Sequence, residues 1–262
     1  MRIVFLGDRR LAQTAWISLV QNYSADFEVV LAVTNEEFYA DVINDNSIPF
    51  LSNSHRNSEE ILRTIEKHKV DYLVSIQHNW KMPKKVLEAV DYNAINVHNA
   101  TLPNYKGYYS INHAIVRGDE KFYTTVHWMS NKVDSGDIAY EFESIINTRT
   151  TAISLYMDTV EKVRTNINVL YNDVLNSNIP RRKMCQDDGK FYSRESIHSL
   201  RDITQIVDEE IIDRHVRACF FPGYESAYIR TKYGKQYILP ETCTYYNHCY
   251  SNVFNQHSKV CI

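Results

Sequence analysis

Short apolar runs alternate with stretches of helical periodicity along the first two thirds of the chain. Residues 2–7 form a mostly apolar run that ends in glycine, and the next stretch places apolar residues on one helix face. The pattern predicts strands at 2–7, 27–33, 49–51, 71–76, 94–98, 123–129 and 138–146. It predicts helices at 11–20, 36–43, 83–90, 110–116 and 151–175, and another from 58 after an Asn57 or Ser58 cap. This order predicts βαβ units, and hence an α/β fold with a doubly wound, mostly parallel sheet.

The pattern changes after residue 175. Residues 176–188 are polar and basic, and we interpret them as the exit from a main domain. Residues 208–221 are typical of a helix, and residues 228–238 of a β-hairpin with Gly234 in its turn. We therefore predict a main domain of residues 1–185 and a small C-terminal region of residues 186–262. Two strands are too few for an independent sheet, so we expect the hairpin to pack on the main domain or on a partner chain.

The most informative stretch is residues 96–107, which starts as a buried strand and ends as a loop. Asn96 and His98 are two residues apart, so an extended backbone points both side chains to one face. Such polar groups at the end of a buried strand either are satisfied by partners or carry out chemistry. Further along, Asp134 and Asp137 flank Gly136, which is compatible with ordinary turn chemistry as well as with a site.

Composition narrows the class of protein. The 262 residues are 44% hydrophobic and 23% charged, as in ordinary globular proteins. A net charge of −3 argues against a protein that resides on nucleic acid or anionic membrane. We expect no signal peptide and no membrane span, because the apolar runs are short and interrupted by charges.

The five cysteines are odd in number and lack C-x-x-C spacing, so we expect reduced thiols of a cytoplasmic protein. A zinc site from Cys243, His248, Cys249 and His257 is conceivable, but the spacing fits no standard pattern.

Phosphate-binding fingerprints are absent at the first strand-to-helix turn. Residues 7–10 contain one glycine, so the turn matches neither G-x-G-x-x-G nor the Walker pattern. Residues 77–80, in contrast, follow the strand that ends at Ile76, and open α/β sheets bind ligands at the carboxyl ends of their strands.

Three separated motifs together resemble the formyltransferase family that uses N10-formyltetrahydrofolate. The matching positions are Asn96, His98, Leu102, Pro103, Lys106, Gly107, Asp134, Gly136 and Asp137. Residues 217–224 are similar to the run at the head of that family's C-terminal part. Residues 77–80 and 104–108 resemble the bacterial sugar N-formyltransferases, which act on nucleotide-linked amino sugars. The resemblance implies a Rossmann-like formyltransferase core in residues 1–185.

The chemistry that this resemblance implies assigns a role to each catalytic candidate. His98 suits a general base, since its imidazole titrates near neutral pH. Asn96 can donate an N–H to the oxyanion that forms on the formyl carbon, and Asp134 can orient the imidazole. Neither a metal nor a covalent enzyme intermediate is needed. A nucleophilic triad of Ser110, His98 and Asp134 is a competing idea, but no G-x-S-x-G elbow frames Ser110.

Binding roles follow from the same resemblance. The pterin of the formyl donor is expected against Gln77, His78 and Trp80, and near Lys132 and Val133. The acceptor-binding candidates are Tyr105, Lys106, Tyr108, Asn112, Phe221 and Tyr224. Of these, Tyr105 and Lys106 are expected to meet a diphosphate, while Phe221 and Tyr224 could stack on a nucleotide base or close the core.

The expected activity is formylation of a dTDP-linked amino-dideoxyhexose, for O-antigen or another surface polysaccharide. Candidate acceptors are dTDP-4-amino-4,6-dideoxyglucose and a dTDP-3-amino-3,6-dideoxyhexose, and the position of the amine stays open. We also expect a homodimer formed through the tyrosine-rich hairpin.

Three rival functions remain. A methionyl-tRNA formyltransferase should carry a basic face and a larger C-terminal domain, whereas residues 190–262 contain nine Lys or Arg against eight Asp or Glu. A glycinamide ribonucleotide formyltransferase would need a glycine-rich first turn and usually lacks the hairpin region. A catalytically silent folate- or nucleotide-binding module has no need of Asn96, His98 and Asp134 together.

Overall fold

The computed structural model describes residues 1–53, 57–185 and 189–241. In chain order its elements are β1 (Arg2–Leu6), α1 (Arg10–Tyr23), β2 (Glu28–Thr34), α2 (Glu36–Phe38), which continues as a π-helical turn (Tyr39–Ile43), β3 (Phe50–Ser52), α3 (Ser58–His68), β4 (Tyr72–Ile76), α4 (Lys84–Glu88), β5 (Ala94–His98), β6 (Tyr105–Gly107), α5 (Ser110–Arg117), β7 (Lys121–Trp128), β8 (Ile138–Ile145), α6 (Ala152–Leu175), β9 (Lys190–Tyr192), α7 (Ser196–Arg201), α8 (Glu209–Ala218), β10 (Tyr228–Thr231) and β11 (Gly234–Tyr237).

A seven-stranded sheet forms the centre of the molecule, in the order β3-β2-β1-β4-β5-β7-β8. The strands from β3 to β5 run parallel, and β7 and β8 add an antiparallel edge. This confirms the predicted doubly wound, mostly parallel sheet. The connection from β3 to β4 crosses back over β2 and β1, as a doubly wound sheet requires.

Two apolar layers cover the sheet because side chains alternate along each strand. Phe5 and Ile95 pack in the layer that contains α1 and α6. Leu6 and Ala94 pack in the opposite layer, which contains α3 and α4. Each parallel strand is therefore buried on both faces, which explains its nearly continuous apolar sequence.

The predicted helices form with shifted boundaries. Helix α1 continues to Tyr23, beyond its predicted end, and α4 begins at Lys84. Asn57 caps α3, because its side chain accepts hydrogen bonds from the amides of Glu59 and Glu60. Helix α7 and the β6–β9 ribbon were not predicted. The ribbon pairs Lys106 with Phe191, a non-local contact that local periodicity cannot reveal.

The predicted hairpin forms from β10 and β11, and Gly234 closes its turn at a φ of +113°. Ile229 and Ile238 attach it to a small core that also contains residues of α7 and α8. The end of α8 in turn bonds to the main sheet region, since Asn112 Nδ2 donates to the Ala218 carbonyl at 2.6 Å. The division at residue 185 and the dimer through the hairpin stay predictions.

An aromatic stack holds the β6–β9 ribbon on α5. The His113 ring lies 3.7 Å from the Tyr192 ring, centroid to centroid, and its Nε2 lies 2.9 Å from Ser196 Oγ. Burial, reinforced by the nearby Lys190 charge, lowers the pKa of His113 to about 4. The stack is therefore built around a neutral imidazole.

The half-buried His113 should make the protein less stable in mild acid. In the unfolded chain this imidazole takes up a proton below about pH 6.5, whereas in the folded protein it does so only near pH 4. The free energy of unfolding should thus be unaffected by His113 above pH 6.5 and fall by on the order of 2 kcal/mol as the pH drops to 4. Urea titrations of the wild type and His113→Gln across this range would measure the difference.

His198→Gln is the matched control for this titration, because the His198 side chain is exposed on α7. It should leave the pH dependence as in the wild type. A His113→Gln variant with the full wild-type loss of stability would contradict the assignment.

Candidate active site

A cavity of about 610 Å³ opens at the carboxyl ends of β1, β4 and β5. This is where parallel α/β sheets bind ligands, and the volume lies in the range of small-molecule sites. Ten of the predicted site residues line it: Gln77, His78, Trp80, Asn96, His98, Tyr108, Asn112, Lys132, Val133 and Asp134.

Asn96 is held in one orientation by its neighbours on both sides of β5. Strand register places Ser75 of β4 and His127 of β7 directly beside it. Ser75 Oγ donates to Asn96 Oδ1 at 2.8 Å, and Asn96 Nδ2 lies 3.1 Å from His127 Nε2. Since the oxygen is already bonded to Ser75, the amide presents its second N–H as a donor.

His127 supports this arrangement as a neutral ring. Its Nδ1 lies 2.9 Å from the Trp128 carbonyl, which can only accept, so Nδ1 carries the proton and Nε2 accepts from Asn96. Burial lowers the pKa of His127, against the attraction of Asp134, whose Oδ1 lies 3.8 Å from Nε2. Sequence reasoning missed His127. The alternation along β7 could place it on one face, but only the register shows that it faces Asn96.

His98, at the end of β5, lies close to Asp134, in the loop between β7 and β8. His98 Nε2 lies 3.3 Å from Asp134 Oδ2, and both side chains are nearly buried. The angle is not that of a hydrogen bond, so Nε2 is buried without a hydrogen-bond partner among the described residues. The Gly107 amide donates to Asp134 Oδ2 at 2.9 Å. A ligand group that bonded His98 Nε2 would remove the cost of this unsatisfied atom.

Two glycines allow the close packing around the hydrogen bond from the Gly107 amide to Asp134. Gly107 has a φ of +89°, and a Cβ there would lie 2.4 Å from the Tyr192 carbonyl oxygen. A Cβ on Gly136 would lie 1.7 Å from the Trp128 carbonyl oxygen. Two backbone segments therefore lie in close contact on each side of the Gly107–Asp134 hydrogen bond. A side chain at either glycine would prevent this contact.

The expected pterin-binding residues lie together at one end of the cavity. Gln77 has a φ of +52°, and its Oε1 is buried without a hydrogen-bond partner in the described chain. The His78 and Trp80 rings lie 6.4 Å apart. Met82 and Met129, which were not predicted, add apolar surface beside Trp80. This end combines flat apolar surface with the Gln77 carbonyl oxygen.

Neither Tyr105 nor Lys106, which were expected to meet a diphosphate, lines the cavity. Tyr105 is fully buried and its hydroxyl donates to Asp119, so its ring packs in the core. Burial, aided by Asp119, raises the pKa of this phenol. Lys106 belongs to the β6–β9 ribbon, where it pairs with Phe191.

Phe221 and Tyr224 also lie outside the cavity lining. Phe221 meets the Tyr156 ring edge-on at 5.7 Å and the Tyr224 ring at 5.6 Å. Phe221 packs against the core while both residues stay half-buried, and the choice between their two roles stays a prediction.

The cavity is more positive than the chain as a whole. Among the described residues its lining carries the cations Arg9, Lys81, Lys132 and Arg194 against the carboxylate of Asp134. The whole chain, in contrast, has a net charge of −3. The sequence did not indicate Arg9 or Arg194, because amino-acid composition does not show where charged residues cluster in the fold. The site therefore favours anionic ligands.

Two alternatives can be compared with the structure. Ser110 Oγ lies 3.5 Å from the Tyr105 carbonyl, and no bond joins it to His98 in the described chain, so the nucleophilic triad gains no support. The residues of the conceivable zinc site lie outside the described residues. Within residues 1–53, 57–185 and 189–241, no cluster of three His, Cys, Asp or Glu side chains could hold a metal ion. In the same part of the chain, every helix is too short or too polar to cross a membrane.

His127 should remain neutral, with its proton on Nδ1, at a pH where an ordinary imidazole is already being protonated. The reason is that burial disfavours the imidazolium and the Trp128 carbonyl holds the Nδ1 proton. Nitrogen-15 NMR of the imidazole would measure this, with His127→Gln to assign the signals. Asn96→Ala should shift the Nε2 signal and leave Nδ1 protonated. A ring that gained a proton near pH 6.5 would contradict this arrangement.

Comparison with known proteins places this geometry in context. A methionyl-tRNA formyltransferase of Halothermothrix orenii is 32% identical over 142 residues, which are 54% of this chain and 45% of that protein. The chain thus spans about half the length of this curated relative. A 4-N formyltransferase from Francisella tularensis has a similar structure, with a TM-score of 0.76 and 19% identity over 92% of this chain and 98% of that one.

A second solved structure with this fold is an N-formyltransferase from Helicobacter canadensis in complex with folinic acid and dTDP-3-aminofucose. It has a TM-score of 0.69 and 18% identity, and covers 88% of this chain and 84% of that one. The family model described as formyl transferase matches residues 1–170, which is more than half of the chain. The chain therefore belongs to the formyl transferase family.

Proposed function

We propose that this protein transfers the formyl group of N10-formyltetrahydrofolate to the amine of a nucleotide-linked amino sugar. The observation that carries the proposal is that Asn96, His98 and Asp134 line one cavity, and that His98 Nε2 has no hydrogen-bond partner among the described residues. Family membership supports the formyl transfer, and the cationic lining supports two anionic substrates.

Asn96 stabilises the charge that develops on the formyl oxygen. Attack by the amine forms a carbon–nitrogen bond and turns the carbonyl oxygen into an oxyanion. One N–H of Asn96 is engaged by His127, and Ser75 occupies the amide oxygen. The other N–H can therefore donate to the oxyanion, and its orientation is set before the substrate arrives.

His98 moves the proton. The neutral amine carries an excess proton once it is bonded to carbon, and His98 Nε2 is positioned to accept it. The carboxylate of Asp134, 3.3 Å away, stabilises the imidazolium that results. Return of the proton to the folate nitrogen accompanies cleavage of its bond to the formyl carbon. The formyl donor is consumed in this reaction. One carbon–nitrogen bond forms to the acceptor amine, and one breaks at the folate nitrogen.

The donor binds at the end of the cavity that contains Gln77, His78 and Trp80. A pterin is a flat ring with several amide-like groups, and this end supplies aromatic and apolar surface together with the unbonded Gln77 Oε1. Lys132, beside Val133, and Lys81 supply charge for the carboxylates of the folate tail.

The acceptor binds at the other end, near Tyr108 and Asn112. The two solved structures described above match nearly the whole of this chain, including the region after residue 170, and one of them binds a dTDP-linked amino sugar. We infer that the acceptor here is a dTDP-linked amino-dideoxyhexose with its amine at carbon 3 or 4. Use in O-antigen or another surface polysaccharide, a cytoplasmic location and a homodimer belong to the same proposal.

Methionyl-tRNA is the second candidate acceptor, because a methionyl-tRNA formyltransferase is a relative at 32% identity. That identity extends over about half of the chain, however. The charges of residues 190–262, nine basic against eight acidic, do not form the excess of cations that tRNA phosphates attract.

Mass spectrometry of reactions with N10-formyltetrahydrofolate should detect one formylated product from a panel of dTDP-linked 3-amino and 4-amino 6-deoxyhexoses. Asn96→Ala should lower the rate by about 10²–10³-fold through loss of the oxyanion donor. His98→Asn should lower it by about 10²–10⁴-fold through loss of the base. His198→Asn, an exposed histidine on α7, is the matched control and should keep the wild-type rate.

The result that would sink the mechanism is unchanged product formation by His98→Asn. Formylation of methionyl-tRNA with no sugar product would move the assignment to the second candidate. No formylation of any acceptor would leave a catalytically silent binding module.

A further inference from the structure

The carboxylate of Asp134 is held by a contact from outside its own loop. Asp134 has a φ of +48°, a left-handed conformation that a residue other than glycine keeps only when its surroundings fix it. Among the described residues, the Gly107 amide donates the hydrogen bond that fixes this side chain, at 2.9 Å from Oδ2. The same oxygen lies 3.3 Å from His98 Nε2. Movement of Gly107 would therefore move the acid relative to the base.

Gly107 is in turn held by a strand that lies far along the chain. It pairs with Tyr192 in the β6–β9 ribbon, and the next amide, that of Tyr108, donates to the Tyr192 carbonyl at 3.0 Å. The two segments are in close contact, because a Cβ at Gly107 would lie only 2.4 Å from this carbonyl oxygen. The family match ends at residue 170, so Tyr192 lies outside the part of the chain that the family model describes.

The Tyr192 ring fixes β9 on α5 and β6. It stacks on the His113 ring, 3.7 Å away, and on the buried Tyr105 ring, 5.9 Å away, with interplanar angles of 27° and 26°. Tyr105 is anchored in its turn, since its hydroxyl donates to Asp119. Aromatic pairs of this kind stabilise a contact beyond the area that they bury. Loss of the Tyr192 ring should therefore loosen the ribbon at the point where it holds Gly107.

We propose that Tyr192 is a positioning residue for the reaction, which acts on Asp134 through the Gly107 amide. The inference rests on the proposed function, in which Asp134 stabilises the imidazolium of His98. The side chains of His98 and Asp134 are only 14% and 10% exposed, so water screens their interaction little and its strength depends on their distance. Tyr192 itself does not line the active-site cavity, so its effect on the reaction is indirect.

Formylation rates at saturating substrate test the proposal. Tyr192→Ala should lower kcat about 10- to 100-fold, because a misplacement of about 1 Å can cost 10²-fold in rate. Tyr192→Phe keeps the ring and should keep the wild-type kcat. The matched control is Tyr39→Ala, which should leave kcat unchanged. Tyr39 is also a half-buried tyrosine that packs on an aromatic neighbour, Phe50, but it lies outside the cavity.

A double-variant cycle separates this route from a general distortion. The ribbon also brings Phe191 and Arg194 to the cavity, so its loosening could act through them. Asp134→Asn removes the charge whose position matters, so Tyr192→Ala should lower kcat no further in that background. The same fold-loss in both backgrounds would overturn the assignment, as would an unchanged kcat in Tyr192→Ala alone.

Hydrogen exchange of the Gly107 amide, measured by NMR, tests the contact without any substrate. Exchange should be faster in Tyr192→Ala than in the wild type and unchanged in Tyr39→Ala, because the bond to Asp134 protects this amide. Equal exchange in Tyr192→Ala and the wild type would refute the proposal. Should no acceptor be formylated, faster exchange would support the held acid and refute the proposed function alone. Should Tyr192→Ala not fold, as judged by circular dichroism, His113→Ala removes the other ring of the stack and decides by the same comparisons.

Discussion

A chain of hydrogen bonds across three strands is the interaction on which the site depends. It runs from Ser75 Oγ to Asn96 Oδ1, from Asn96 Nδ2 to His127 Nε2, and from His127 Nδ1 to the Trp128 carbonyl. All of its side chains are buried, so a missing partner would leave an unsatisfied polar group in a region with little water. These hydrogen bonds thus fix one orientation of Asn96 and one tautomer of His127.

Close contact between backbone segments, which glycine allows, brings the Asp134 carboxylate next to these hydrogen bonds. Asp134 sits between β7 and β8 in a left-handed conformation, with a φ of +48°. The Gly107 amide holds its Oδ2, and Gly107 itself pairs with Tyr192 in the β6–β9 ribbon. A segment of the predicted C-terminal region, Lys190–Tyr192, therefore fixes the loop that positions the acid. The motif residues Gly107 and Gly136 have steric reasons to be glycine, independent of any catalytic role.

The cavity carries a charge opposite in sign to the net charge of the chain. With a net charge of −3 overall, the protein repels polyanions at long range, while the four cations of the cavity lining attract small anions that can enter it. A cationic cavity on a protein of negative net charge suits small phosphorylated or carboxylated molecules better than an extended phosphate backbone, which supports the proposed nucleotide-linked acceptor over tRNA.

Local patterns in the sequence determined much of the fold and the centre of the site. Alternation put Asn96 and His98 on one face of β5, and the apolar runs identified the parallel strands because both of their faces are buried. Tertiary structure alone decided what lies beside them. Register brought Ser75 and His127 to Asn96, and the β6–β9 pairing joined residues 105–107 to residues 190–192. Tertiary packing buried Tyr105 in the core and placed Arg9 in the lining of the cavity. The physical reason is that periodicity reports which face of an element is apolar, whereas strand order and register, which involve residues far apart in the chain, decide which polar groups meet.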